Sequence, residues 1–251
     1  MKNEPYFASK LLKELDSFLH KNDYESAEAY LLRRLNKAEA TQDFKTEILI
    51  RNELMGLYRK CGKREKALDS VNAAIKLIES NNLQNQVGSA TTFLNCATVY
   101  KAFGMADFSL PLFLRAKDIY ERELSSNDSR LGGLYNNMGL TLVDLKRYRE
   151  ANELYQKAIN IMKTAQNGAL EVAITYLNMA SCAEAELGLS EADETISMYL
   201  KKAEELLEGH KNRDGYYAFV CEKCASVFGY YGYFAYEKEL SERARRIYEG
   251  T

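Results

Sequence analysis

The 251-residue sequence is nearly without proline: Pro5 and Pro111 are the two it has. So few helix breakers over so long a chain argue for helices throughout. No stretch approaches the roughly 18 apolar residues of a membrane span, so no membrane segment is expected. The opening MKNEPYFASK lacks an apolar core, and no secretory signal is expected. Unopposed positive charge is missing too. Net charge is −2, and the densest cationic cluster, Arg243, Arg245 and Arg246, has Glu239 and Glu242 beside it. A phosphate backbone needs several uncompensated cations, which excludes nucleic acid as the expected partner. The five cysteines are an odd number and fall mostly at helical core spacings. Reduced thiols in a cytoplasmic protein are the simplest reading.

Chemical motifs are equally scarce. There is no glycine-rich phosphate loop and no G-x-S-x-G elbow, so no enzyme activity is expected. Cys221-x2-Cys224 invites a metal or redox reading, but zinc asks for about four ligands. No second CxxC exists, and the two histidines, His20 and His210, lie far apart in sequence. Residues three apart share one helix face, so core packing is the favoured reading, with no metal and no cofactor.

What the chain does contain is 46% hydrophobic residues, enough for a continuous core, and 28% charged residues rich in good helix formers. It also repeats. From Tyr135 the chain reads aromatic-x2-Met138-Gly139-x2-Leu142, then Ala151-x3-Tyr155-x2-Ala158. The same frame returns as Phe93-x2-Cys96-Ala97-x2-Tyr100 with Ser109-x3-Phe113-x2-Ala116, and as Leu54-Met55-x2-Tyr58 with Ala67-x3-Val71-x2-Ala74. Tyr176-x2-Met179-Ala180-x2-Ala183 repeats its first half. Looser copies are Leu15-x2-Phe18 with Ala27-x3-Leu31, and Cys224-Ala225-x2-Phe228.

This pattern resembles the tetratricopeptide repeat, W-x2-L-G-x2-Y followed by A-x3-F, over nearly the whole chain. The small or medium residue of the frame falls at Leu15, Met55, Ala97, Gly139, Ala180 and Ala225, with spacings of 40, 42, 42, 41 and 45. The usual repeat is about 34 residues, so each unit gains roughly two helical turns. That spacing is similar to the repeats of kinesin light chains. The resemblance implies an all-α, right-handed superhelical solenoid of about six antiparallel hairpins. The expected units span about 6–40, 43–82, 85–125, 128–166, 168–209 and 213–249 of a single domain, 1–251.

The physical requirements follow. The small residue of each first helix should meet the Ala of the second, letting the axes approach. Tyr58, Phe93, Tyr100, Phe113, Tyr135 and Tyr155 should fill the wedge between hairpins. Gly62, Gly104 and Gly188 should end first helices in the left-handed conformation. Ser190 with Asp193 reads as the N-cap and N3 pair of the tenth helix. Pro111 requires a helix start near Asp107 or a bend. In the fifth unit the apolar register shifts to Ile196 and Ala203, implying about four inserted residues around 187–195. Polar outer faces at Lys10, Lys13 and Asp16, and at Glu239, Glu242, Arg243 and Arg246, read as caps of a complete solenoid.

First helices of related repeats line a concave groove that holds peptides. Asn95, Asn137 and Asn178 each sit two residues before the small position, with Asn136 adjoining and Asn52 near the equivalent place. Asparagine inside a helix costs roughly half a kcal/mol against Ala, so its recurrence wants a reason. A carboxamide both donates and accepts, matching an extended peptide backbone. Equally, the amides could bond between adjacent first helices and set their pitch. Thr98, Lys101, Leu140, Asp144, Ser181 and Glu184 surround the series, and Arg59 extends it. The expected function is a protein- or peptide-binding adaptor or scaffold. The alternatives are a self-associating structural protein, with a homodimer through the Tyr230–Tyr236 aromatic run, and a peptide-sensing module without its effector domain.

Overall fold

The computed structural model describes residues 4–19 and 21–250; His20, weighed above, lies outside them. Among the described residues there are twelve helices and no strand. The chain divides into two compact units, Met1–Glu123 and Leu124–Thr251. The first holds α1 (Glu4–Leu19), α2 (Tyr24–Ala40), α3 (Phe44–Lys60), α4 (Arg64–Ser80), α5 (Val87–Ala102) and α6 (Ala106–Glu123). The second holds α7 (Ser129–Asp144), α8 (Tyr148–Met162), α9 (Gly168–Leu187), α10 (Leu189–Gly209), α11 (Gly215–Tyr230) and α12 (Phe234–Glu249). In each unit consecutive helices pair as three hairpins. First helices also meet directly, α3 with α5 in one unit, α9 with α7 and α11 in the other.

The repeat frame is the core. Ala67, Val71 and Ala74 of α4, Ser109, Phe113 and Ala116 of α6, and Ala151, Tyr155 and Ala158 of α8 are all sealed from solvent. The small position works as expected at Gly139 of α7. A Cβ placed there would clash with the ring of Tyr155. At Ser109, where the frame calls for alanine, the hydroxyl donates to the Ala97 carbonyl of α5 at 2.8 Å. The polar substitute thereby avoids an unpaired buried group. Of the expected wedge aromatics, Tyr58, Phe93, Phe113, Tyr135 and Tyr155 are buried. Tyr100 is half-buried and stacks on Phe108, centroids 5.7 Å apart. Cys221 and Cys224 sit within the hydrophobic core of α9–α12. Burial pushes the Cys224 thiol up to about 12.

The turns follow one geometry. Gly62 and Gly104 adopt positive φ, and the next amide bonds the carbonyl four residues before the glycine: Lys63 N to Tyr58 O, and Met105 N to Tyr100 O. Asn22, Gln42, Asn82 and Lys146 take the same conformation at the matching place in other turns, within hairpins at Asn22 and Lys146 and between them at Gln42 and Asn82. The six-residue hydrogen-bonded turn therefore dictates the geometry, and glycine only eases it. Helix α6 begins at Ala106, as the Asp107 expectation required. Pro111 still falls in its second turn, where the Asp107 carbonyl has no amide to receive.

One expectation is corrected. Ser190 is not the N-cap of α10; that helix begins at Leu189, and Gly188 both ends α9 and starts α10. Its φ of +85° and ψ of 159° are open to glycine and strained for other residues. Gly188 N donates to Glu184 O, and its carbonyl receives Ala192 N. One residue thus reverses the chain, leaving no room for a side-chain cap. Ile196 and Ala203 are buried as the shifted register expects, and Ala192 of the unshifted frame is buried beside them. The extra residues lengthen helices rather than a loop: α9 and α10 have 20 and 21 residues, against 15 in α8.

Glu28 of α2 is the chief buried charge of the first unit. Lys63 and Lys66 reach it at 2.5 and 2.6 Å, and the Tyr58 hydroxyl donates to it at 3.1 Å. The hydrogen bonds from Lys63 and Lys66 hold its carboxyl at about 2, below the ordinary 4.5. A depressed carboxylate stabilises the fold above its unfolded value and loses that contribution as pH falls. Urea titrations of wild type and Glu28→Gln should therefore converge between pH 4.5 and 2. At neutral pH the variant should be about 1–2 kcal/mol less stable, the half-exposed lysines limiting the figure. Gly139→Val should cost about 2 kcal/mol in the same titration, through overpacking against Tyr155.

Candidate functional site

The expected asparagines gather on the first-helix faces, in two sets, one in each unit. In the first, Asn95 Nδ2 on α5 donates to Asn52 Oδ1 on α3 at 2.9 Å. Asn52 Nδ2 donates in turn to Ile48 O and to Thr92 Oγ1, each at 2.9 Å, and the Thr92 hydroxyl donates to Gly88 O. In the second, Asn178 Nδ2 on α9 donates to Asn136 Oδ1 on α7 at 3.0 Å. Thr175, three residues before Asn178 as Thr92 is before Asn95, donates to Glu171 O. Each rung thus joins the residue three before the small position on one helix to the residue two before it on the next. Sequence reading grouped the second kind and treated Asn52 as an approximate member. It missed Thr92 and Thr175, whose signal was the repeated Thr-x2-Asn.

Asn137 stands apart from the rungs. Its Nδ2 donates to Gly133 O of its own helix at 2.9 Å. Asn95, Asn137 and Asn178 are all half-buried, whereas Asn136 is buried. Thr98 and Ser181 donate to carbonyls one turn back, Leu94 O and Leu177 O. Lys101 is half-buried near the end of α5, and Asp144 is exposed at the end of α7. Glu184 is engaged on both carboxylate oxygens, by Tyr230 Oη at 2.6 Å and Tyr231 Oη at 2.8 Å. The bond to Glu184 raises the Tyr230 phenol above its ordinary value.

Most of the C-terminal aromatic run is spent inside its own unit. Tyr236 packs edge-on to Phe228 with centroids 4.7 Å apart and donates to Glu208, which Arg243 also holds. Phe234 and Tyr230 nonetheless remain about 70% exposed.

Two charged groups of α3 are shifted by their surroundings. Arg59 is solvent-accessible, yet surrounding protein lowers its guanidinium by desolvation. Glu53, one residue beyond Asn52, has its carboxyl raised by burial and then by the charge of Asp16 on α1.

The rung can be measured directly. Asn52→Ala and Asn95→Ala should each destabilise the protein by about 1 kcal/mol, and the double variant should cost less than their sum. A coupling of roughly 0.5–1.5 kcal/mol in that cycle is expected; additivity would mean the bond is absent in solution.

Neither the descriptions of known protein families nor the curated proteins include a match to this sequence. Solved structures do match. The chain is similar to BtubC (BKLC) from P. vanneervenii at 19% identity and TM-score 0.68, covering 84% of this chain and 86% of that one. It is similar to nearly identical TPR-like repeats described as kinesin light chain from P. anserina, at 17% identity and TM-score 0.53, over 78% and 92% of the two chains. A third likeness is NprR in complex with its cognate peptide NprX, at 14% identity and TM-score 0.61, over 95% of this chain and 66% of that one. The repeat frame, the paired helices and these likenesses agree: the chain has the tetratricopeptide-repeat fold, with a long repeat similar to that of kinesin light chains.

Proposed function

We propose that the chain is a non-enzymatic adaptor or scaffold that holds an extended segment of a partner protein against its first-helix faces. The residues that would meet the segment are Asn95, Thr98 and Lys101 in the first unit, and Asn136, Asn137, Asp144, Asn178, Ser181 and Glu184 in the second. The observation that carries this is energetic. Two asparagines inside helices cost together about 1 kcal/mol against alanine, and in the second unit the single bond from Asn178 to Asn136 returns about the same. Stability alone leaves that pair unexplained. A carboxamide has more donor and acceptor sites than one rung uses, and amides fixed in this way suit the alternating donors and acceptors of a peptide backbone. A similar fold solved with a bound peptide supports the reading.

Localisation is proposed on the same footing. Among the described residues no helix is long and apolar enough to cross a membrane. The five cysteines are unpaired and four are buried, which suits a reducing cytoplasm. Self-association is the second reading, favoured by the exposed Phe234 and Tyr230 of the last hairpin.

The test is a peptide-library selection with wild type, Asn137→Ala, and the triple variant Asn95→Ala, Asn137→Ala, Asn178→Ala. Asn137 is in no rung, so its variant should melt with wild type yet retain peptides more weakly. The triple variant should lose enrichment altogether and melt a few degrees lower, from two lost rungs. Equal enrichment by all three would refute the groove. No enrichment by any, with concentration-dependent mass in light scattering, would transfer the function to self-association.

A further inference from the structure

The α11–α12 hairpin breaks the repeat frame at a place where packing gains nothing by it. Twelve residues after each small position, the second helix sets a small residue into the seam: Ala27, Ala67, Ser109, Ala151 and Ala192 are all fully buried there. In α12 that place is Glu237. Four residues after each small position the first helix carries a side chain, Leu19, Arg59, Lys101, Val143 or Glu184, whereas α11 carries Gly229. The two departures are one exchange. A Cβ built on Gly229 would clash with the Glu237 carboxylate, so the glycine makes the room that the glutamate fills. Glycine is a poor residue for a helix interior. The carboxylate in turn forms no ion pair or hydrogen bond with any described residue. Neither helix stability nor a bond within the fold accounts for the exchange.

The surroundings name the chemistry of a ligand. Glu237 is half-buried. It lies one turn after Tyr233, whose ring meets Phe228 of α11 edge-on with centroids 6.0 Å apart. Tyr233 and Glu237 thus reach adjacent residues of α11, and Tyr230 follows directly. Tyr230, Tyr233 and Phe234 are exposed, three large apolar side chains within five residues. Glu184 of α9 is held at the same end by the Tyr230 and Tyr231 hydroxyls. Open rings beside two carboxylates attract a cation, through the ring quadrupole and through charge together. Among the described residues, no cation of the chain takes that place. The arginine of α12 that does meet a ring, Arg243 over Tyr236, is held by Glu208 and Glu239. A second copy meeting this patch through a two-fold axis would set like carboxylates against each other, so charge complementarity selects a basic partner.

We propose that Glu237, Tyr230, Tyr233 and Phe234 form a cation-selective docking site for a lysine or arginine side chain of a partner protein. Arginine fits best, because its planar fork pairs with one carboxylate in two parallel bonds while its face stacks on an exposed ring. Gly229 keeps the Glu237 carboxylate lodged against the α11 backbone, so little rotamer freedom is left to lose on binding. The site lies off the asparagine rungs and does not depend on the first-helix reading. It gives the chain a second surface, at the turn of the α11–α12 hairpin.

The test is an NMR titration of the labelled protein with acetylated, amidated Gly-Ser decapeptides that carry Arg-Arg, Lys-Lys, Gln-Gln or Glu-Glu at their centre. Wild type should show saturable shifts at the Gly229, Gly232 and Phe234 amides with Arg-Arg, weaker ones with Lys-Lys and none with the other two. The shifts should shrink with added salt. Glu237→Gln should bind Arg-Arg about fivefold or more weakly, and Phe234→Ser should weaken binding too. The double variant Gly229→Ala, Glu237→Ala restores the small seam; it should melt no lower than wild type yet lose the shifts. Asn137→Ala should bind Arg-Arg as wild type does. Absence of shifts at the hairpin with Arg-Arg, equal shifts with Gln-Gln, or undiminished affinity in both Glu237 variants would overturn the site and leave the first-helix function standing. An equal loss in Asn137→Ala would move binding to the first-helix faces and overturn it as well. Concentration-dependent mass in light scattering, abolished by Phe234→Ser, would overturn the basic partner and give the patch to a second copy.

Discussion

The structure depends on the close approach of two helices at a small residue. Where α7 carries Gly139, the Tyr155 ring of α8 occupies the space a side chain would need. Where α5 carries Ala97, Ser109 comes near enough to bond its backbone carbonyl. Axes held at that separation let each hairpin seal a narrow seam of Ala and medium residues. The larger apolar side chains are then left for the next hairpin. No single hairpin could bury them, so stability in each unit accumulates by stacking.

Connections between helices obey the backbone before the side chain. A positive-φ residue completes most turns, and glycine, asparagine, glutamine and lysine all serve there. The penalty for a non-glycine residue, about 1–2 kcal/mol, is evidently outweighed by the hydrogen bonds that the turn closes. Gly188 is the exception that proves strict, because its extended positive-φ conformation joins two helices through one residue.

The first-helix faces differ between the units despite a shared frame. Both carry an asparagine rung beside a threonine that bonds its own helix. Beyond the rung the first unit presents Gly56, Arg59 and Lys101, while the second presents Ser181 and a Glu184 already bound by tyrosines. A common scaffold thus fixes where side chains stand, and the variable positions decide what each face presents.

Much was legible without coordinates. A 40–45-residue recurrence of small, aromatic and apolar positions dictates helix number, pairing and core, because those residues answer to steric limits that hold within one hairpin. The asparagine series was legible for the same reason, as a register. Its pairing was not. Asn95 seeks a residue 43 positions away, and whether Asn52 or Glu53 faces it depends on the rotation of α3 against α5. Likewise Glu184 reads as a free acid until α11 brings Tyr230 and Tyr231 to it, 46 and 47 residues later. The start of α10 was misjudged because Ser190 and Asp193 have the right local chemistry, while the tight α9–α10 reversal at Gly188 starts the helix two residues earlier. Local periodicity determined the elements and their buried sides; only the packing of one helix on another decided which polar groups are satisfied within the fold and which remain open to a partner.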